Sequence, residues 1–136
     1  MKIGGVELTG PSEEVLVLPR PLGNDIIIRC KAVLDMAPFL AMCPEPKAKP
    51  ILVKGGYKKN TKDPNYLALC AKHSENRFAY IALKSMEPSE IEWETVNPAD
   101  CNTWLNWETE LRAAGCSSIE INRIIMCVMQ ANSLDE

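Results

Sequence analysis

Residues 44–63 divide this chain, and that break constrains its fold more than any other feature. Pro44, Pro46 and Pro50, the pair Gly55-Gly56 and six lysines crowd into it. Proline fixes φ and withholds an N–H, glycine loosens the backbone, and like charges repel one another. A core element does not tolerate this composition, so the stretch reads as an exposed, mobile loop within a single domain covering 1–136. Ile51, Leu52 and Val53, followed by Lys54-Gly55-Gly56-Tyr57, could form a small hairpin arm inside it.

Before the break the chain is β-prone. Residues 15–18 form one short run and residues 25–32, with Ile26, Ile27 and Ile28, form another. The connection Pro19-Arg20-Pro21-Leu22-Gly23-Asn24 suits a reversal wider than a two-residue turn, which predicts an antiparallel hairpin. Residues 3–8 are expected to add a third strand. In 31–42, Ala32, Val33, Met36, Phe39 and Leu40 recur at helical spacing until Pro44, giving a short helical or irregular segment.

After the break the period is helical. Asp63-Pro64 is a capping residue followed by a first-turn proline, opening a helix over 64–85. Leu67, Cys70, Ser74, Phe78, Ile81 and Ser85 share one face of it, flanked by Tyr66, Leu69, Tyr80 and Leu83. Alternation at Ile91, Trp93 and Thr95 suggests a brief edge strand or an extended link. A further helix should start between Pro98 and Trp104 and end at Gly115, with Trp104, Trp107, Leu111 and Ala114 on one stripe. Ser117 and Glu120 form a capping box for a last helix, 118–132. Its apolar face carries Ile121, Ile124, Ile125, Val128 and Met129, opposite Glu120, Asn122, Arg123 and Gln130. The expected architecture is α+β: an N-terminal hairpin or small antiparallel sheet, a long helix and a C-terminal helical hairpin.

Composition narrows the function. A net charge of −3 gives no general attraction to phosphate backbones or anionic membranes. The one basic patch, residues 47–62, is bracketed by Glu45 and Asp63 and contains no arginine, so a solvated loop is favoured over a nucleic-acid arm. The C-terminal helical hairpin could mimic a helix-turn-helix, but Arg123 is the only cation on the outward face of its second helix. No apolar run reaches the length of a membrane span, and Met1 to Gly10 lacks the apolar core of a secretory signal. A soluble, cytoplasmic protein is expected, with Cys30, Cys43, Cys70, Cys101, Cys116 and Cys127 all reduced.

Chemistry-bearing patterns are weak. His73 follows Cys70 by one helical turn, but the middle of an amphipathic helix does not furnish an orienting group or oxyanion donors. The cysteines form no C-x-x-C pair, and Glu87, Glu90, Glu92 and Glu94 read as a solvent face, so no metal or cofactor is expected. Lys54-Gly55-Gly56-Tyr57 lacks the closing residues of a phosphate loop. These readings favour a non-enzymatic protein-binding protein.

The tail of the chain, Gly115-Cys116-Ser117-Ser118-Ile119-Glu120-Ile121-Asn122-Arg123-Ile124-Ile125 and on through Asn132-Ser133-Leu134-Asp135-Glu136, resembles the tail assembly chaperones of tailed bacteriophages. The likeness extends back through Trp107, Ile91-Glu92-Trp93-Glu94 and Arg77-Phe78-Ala79-Tyr80, covering residues 77–136, with a faint echo in Val15-Leu16-Val17-Leu18-Pro19-Arg20. Members of that family are largely helical, whereas residues 1–60 here read as β-rich. The resemblance implies a protein of the host cytoplasm that binds the tape-measure protein and recruits tail-tube subunits. Two other classes remain: a small regulatory protein that inhibits a host protein, and a nucleic-acid-binding module. The C-terminal helices hold more apolar surface than one hairpin can cover, so Trp104, Trp107, Ile119, Ile125, Met126 and Met129 are the candidate protein-binding residues. The same edge could serve self-association.

Overall fold

The computed structural model describes residues 1–134 and shows an α+β fold. The expected third strand does not join the hairpin. Instead β1 (Lys2–Ile3) pairs with β2 (Val6–Glu7) as a ribbon of its own. Gly4 and Gly5 are the cause: both hold positive φ, 58° and 82°, so the segment turns back on itself after two residues.

The main hairpin is β3 (Glu13–Leu18) against β4 (Ile26–Lys31), antiparallel in the register Leu16↔Ile28. Even-numbered residues point inward, so Leu18, Ile28 and Cys30 are buried while Val15, Val17 and Ile27 are exposed. The chain then runs through an irregular stretch into α1 (Ala37–Met42), which buries Phe39.

The proline- and lysine-rich stretch contains the hairpin arm, β5 (Pro50–Val53) against β6 (Gly56–Lys59), and every residue of both strands is exposed. Trypsin should therefore cut first at Lys47, Lys54, Lys58, Lys59 or Lys62, Lys49 being shielded by the proline that follows it. Protection of these sites equal to that of the following helix would show that the arm is docked.

That helix, α2 (Pro64–Ser85), begins at Asp63, whose carboxylate accepts from Asn65 N–H at 3.2 Å. The expected apolar face holds only in its second half. Leu67 and Leu69 are exposed, whereas residues 79–83 are all buried, because other elements pack around the C-terminal turns and leave only Lys84 of the last turn facing out. Phe39, Tyr80 and Trp104 cluster there with ring centroids 5.5 to 6.2 Å apart.

A 3₁₀ turn at Glu87–Ser89 leads into an extended link through Ile91 and Trp93, not a strand. The helix expected from Pro98 onward starts as a 3₁₀ segment, Cys101–Asn106, before becoming α3 (Trp107–Ala113). Thr103 explains the tight start, since its hydroxyl donates toward Asn97 and Asp100 carbonyls and competes with α-helical bonding. Three residues per turn also bring Trp104 and Trp107 onto one inward face. Gly115, at φ 107°, ends α3 with Gly115 N–H on Arg112 O (3.0 Å) and Cys116 N–H on Leu111 O (2.9 Å). The last helix, α4 (Ser118–Ala131), carries both bonds of the capping box between Ser117 and Glu120. Its buried face is Ile121, Ile124, Cys127, Val128 and Ala131, set against the inner face of the hairpin.

All six cysteines are free thiols. Burial and the neighbouring Cys127 push the Cys30 thiol up to about 12. Since the thiolate is the reactive form, native alkylation at neutral pH should label half-buried Cys70 and Cys101 well before Cys30. Denatured protein should take up six labels without reductant. A Cys30 that labels at the rate of Cys70 in the native state would contradict this burial.

Candidate protein-docking edge along β3 and α4

The hydrogen-bond parity of the hairpin decides which backbone groups it leaves open. Ala32 N–H donates to Ser12 O at 2.8 Å, continuing the ladder, so the even-numbered pairs exchange bonds and the odd-numbered residues point outward. On β4 side chains take up this edge at Arg29 and at the Lys31 carbonyl, and leave Ile27 open. Ser89 Oγ accepts from Arg29 N–H (2.7 Å) and donates to Arg29 O (2.9 Å), while Ser85 Oγ donates to Lys31 O (2.8 Å). Just beyond the strand, Asn132 Oδ1 accepts from Val33 N–H at 2.8 Å. On β3 the outward N–H and C=O groups of Glu13, Val15 and Val17 meet no protein partner among the described residues.

Beside this open edge runs α4. A groove of about 220 Å³ lies between them, lined by Glu14, Val15 and Leu16 from the strand and Arg123, Met126, Cys127 and Gln130 from the helix. Ile119 and Met126 stand out from α4 at 76% and 50% exposure. Ile125 and Met129 are half-buried at its margins. Trp104 and Trp107 are not part of this surface. They are 0% and 2% exposed, deep in the core, so they support the fold and have no area to offer a partner. The six residues singled out from the sequence therefore split into two core residues, two marginal ones and two exposed ones.

Several contacts invisible in local sequence hold α4 in place. Arg20, just past β3, forks onto Glu120 at 2.6 and 3.2 Å, and Glu120 also accepts from Ser117 N–H. The Arg20 hydrogen bond, then the Ser117 amide, lower the Glu120 carboxyl below the ordinary carboxylate range. Its support is thus present at neutral pH and fades as pH falls through that lowered value. At the far end Asn132 Nδ2 donates to Val128 O (2.8 Å) and Ser85 Oγ (3.2 Å) while Oδ1 holds Val33. Ser85 could have been flagged as a polar residue on an apolar stripe. Arg20 carries no sequence signal, because its partner lies 100 residues away.

Elsewhere, His73 Nε2 lies 3.0 Å from the Cys43 carbonyl and its ring packs against Phe39 at 5.1 Å. Glu110 on α3 accepts from the Thr95 hydroxyl at 2.7 Å and from the N–H groups of Glu94, Thr95 and Val96 at 2.7 to 2.9 Å, bonds that fix the extended link and lower its pKa, the hydroxyl most. A cleft of about 240 Å³ is lined in part by Trp93 and Tyr80, and the Tyr80 hydroxyl is buried with no protein partner among the described residues. Among the described residues no helix is long and apolar enough to cross a membrane. Comparison with models of known families, with curated proteins and with solved structures finds no match to this chain.

Proposed function

We propose that this protein is a non-catalytic binding protein of the tail-assembly-chaperone kind, holding an apolar, helical partner such as a tape-measure protein and recruiting tail-tube subunits. The observation that carries this reading is the exposure of Ile119 and Met126 on a helix whose position is otherwise fixed at both ends. These two residues lie in the segment that carries the family resemblance. Methionine adapts to irregular apolar surfaces, and exposed apolar area on a firmly anchored helix suits a client that must be kept from aggregating.

Co-expression with the tape-measure protein of the same genome should yield a complex, and a gene between those for the tail tube and the tape measure would agree with it. Ile119→Lys and Met126→Glu together should abolish co-purification while changing stability by about 0.5 kcal/mol or less per site, as for other surface substitutions. A double variant that captures the partner as well as the wild type would refute the reading.

A further inference from the structure

We infer that β3 pairs with β3 of a second copy, antiparallel about a two-fold axis at Val15, making a four-stranded sheet backed by two α4 helices. The open edge presents backbone donors and acceptors at the two-residue spacing that only an extended strand matches. Its counterpart on β4 is blocked by Ser85 and Ser89 at Arg29 and the Lys31 carbonyl, so a continuous row of open groups is left on β3 alone. The strand is its own complement. Centred on Val15, antiparallel pairing sets Val15 against Val15 of the second copy and Glu13 against its Val17, satisfying every outward group of both strands. Parallel pairing in register would instead stack the acidic ends Glu13 and Glu14 on each other, a destabilising arrangement.

The helices agree with this symmetry. Each α4 packs against the inner face of its own hairpin, touching both strands and lying nearer β3. The side of α4 turned toward the seam carries Ile119, Arg123, Met126 and Gln130. Met126, level with the strand centre, meets Met126 of the second copy. Antiparallel helices then bring Arg123 toward Gln130 of the other chain, so no like charges face each other. The seam is short, so the dimer forms reversibly with rising concentration.

Sedimentation velocity from low to high micromolar protein should show the mass rising from one chain to two, with the Glu13, Val15 and Val17 amides gaining hydrogen-exchange protection in step. Val15→Lys leaves the fold intact at a 57% exposed position and sets two lysines about 5.5 Å apart across the axis, so dimerisation should weaken at least tenfold. Val17→Lys faces Glu13 of the second copy and should preserve the dimer. A wild-type chain that stays monomeric throughout, or a Val17→Lys variant as weakened as Val15→Lys, overturns the inference. It shares Met126 and this edge with the proposed function, so the second copy and the client compete for one surface, but it does not depend on the client. A monomer that captures the tape-measure protein would sink only the inference, and a dimer that ignores it would sink only the proposed function.

Discussion

Trp104→Ala should destabilise the protein by about 3–5 kcal/mol, the usual cost of removing a buried tryptophan. Trp104 is wholly buried, its ring centroid 5.5 Å from that of Tyr80 and 6.2 Å from that of Phe39. Its Nε1 also donates to the Asn97 and Pro98 carbonyls at 3.1 and 3.3 Å, so the substitution both opens a cavity and frees the start of the 3₁₀ segment. Small domains are stable by about 5–15 kcal/mol, so this single change consumes a large share. Urea denaturation should show the midpoint falling with little change in slope. An unchanged midpoint would place Trp104 at the surface and return it to the candidate contacts.

Asn132→Ala should be the most damaging polar substitution, costing about 1–3 kcal/mol for each buried group it strands. One amide side chain ties α4 to the exit of β4 through Val33 N–H and to α2 through Ser85. Asn132→Asp keeps the acceptor for Val33 but loses the donor to Ser85 and Val128 O, so its cost should fall between wild type and alanine. Hydrogen exchange offers the sharper readout. Val33 should lose protection in the alanine variant and retain it in the aspartate variant, and equal protection in both would mean that another group holds that amide.

Much of the secondary structure was legible because its determinants are local. The Asp63-Pro64 start, the Ser117–Glu120 capping box, the Gly115 stop and the β-branched run at Ile26, Ile27 and Ile28 each act within a few residues, and each element formed where they indicate. The errors were local signals read at the wrong range. Gly4-Gly5 closed a ribbon instead of extending a sheet, and Thr103 tightened a helix start into a 3₁₀ turn.

The candidate docking edge was only half legible. Helical period places Ile119 and Met126 off the main apolar stripe, but it equally marked Trp104 and Trp107, and periodicity cannot tell a face that meets the core from one that meets solvent. By itself the sequence determined the type of each element, its caps and its apolar stripe, because capping and turn chemistry operate over one or two turns of chain. Only the tertiary structure decided that α2 is enclosed in its second half, that both tryptophans are core, and that β4's edge is blocked at Arg29 and the Lys31 carbonyl while β3's is open. Those outcomes depend on contacts such as Arg20 to Glu120, Arg29 to Ser89 and Val33 to Asn132, whose partners are 60 to 100 residues apart and meet only when the chain closes.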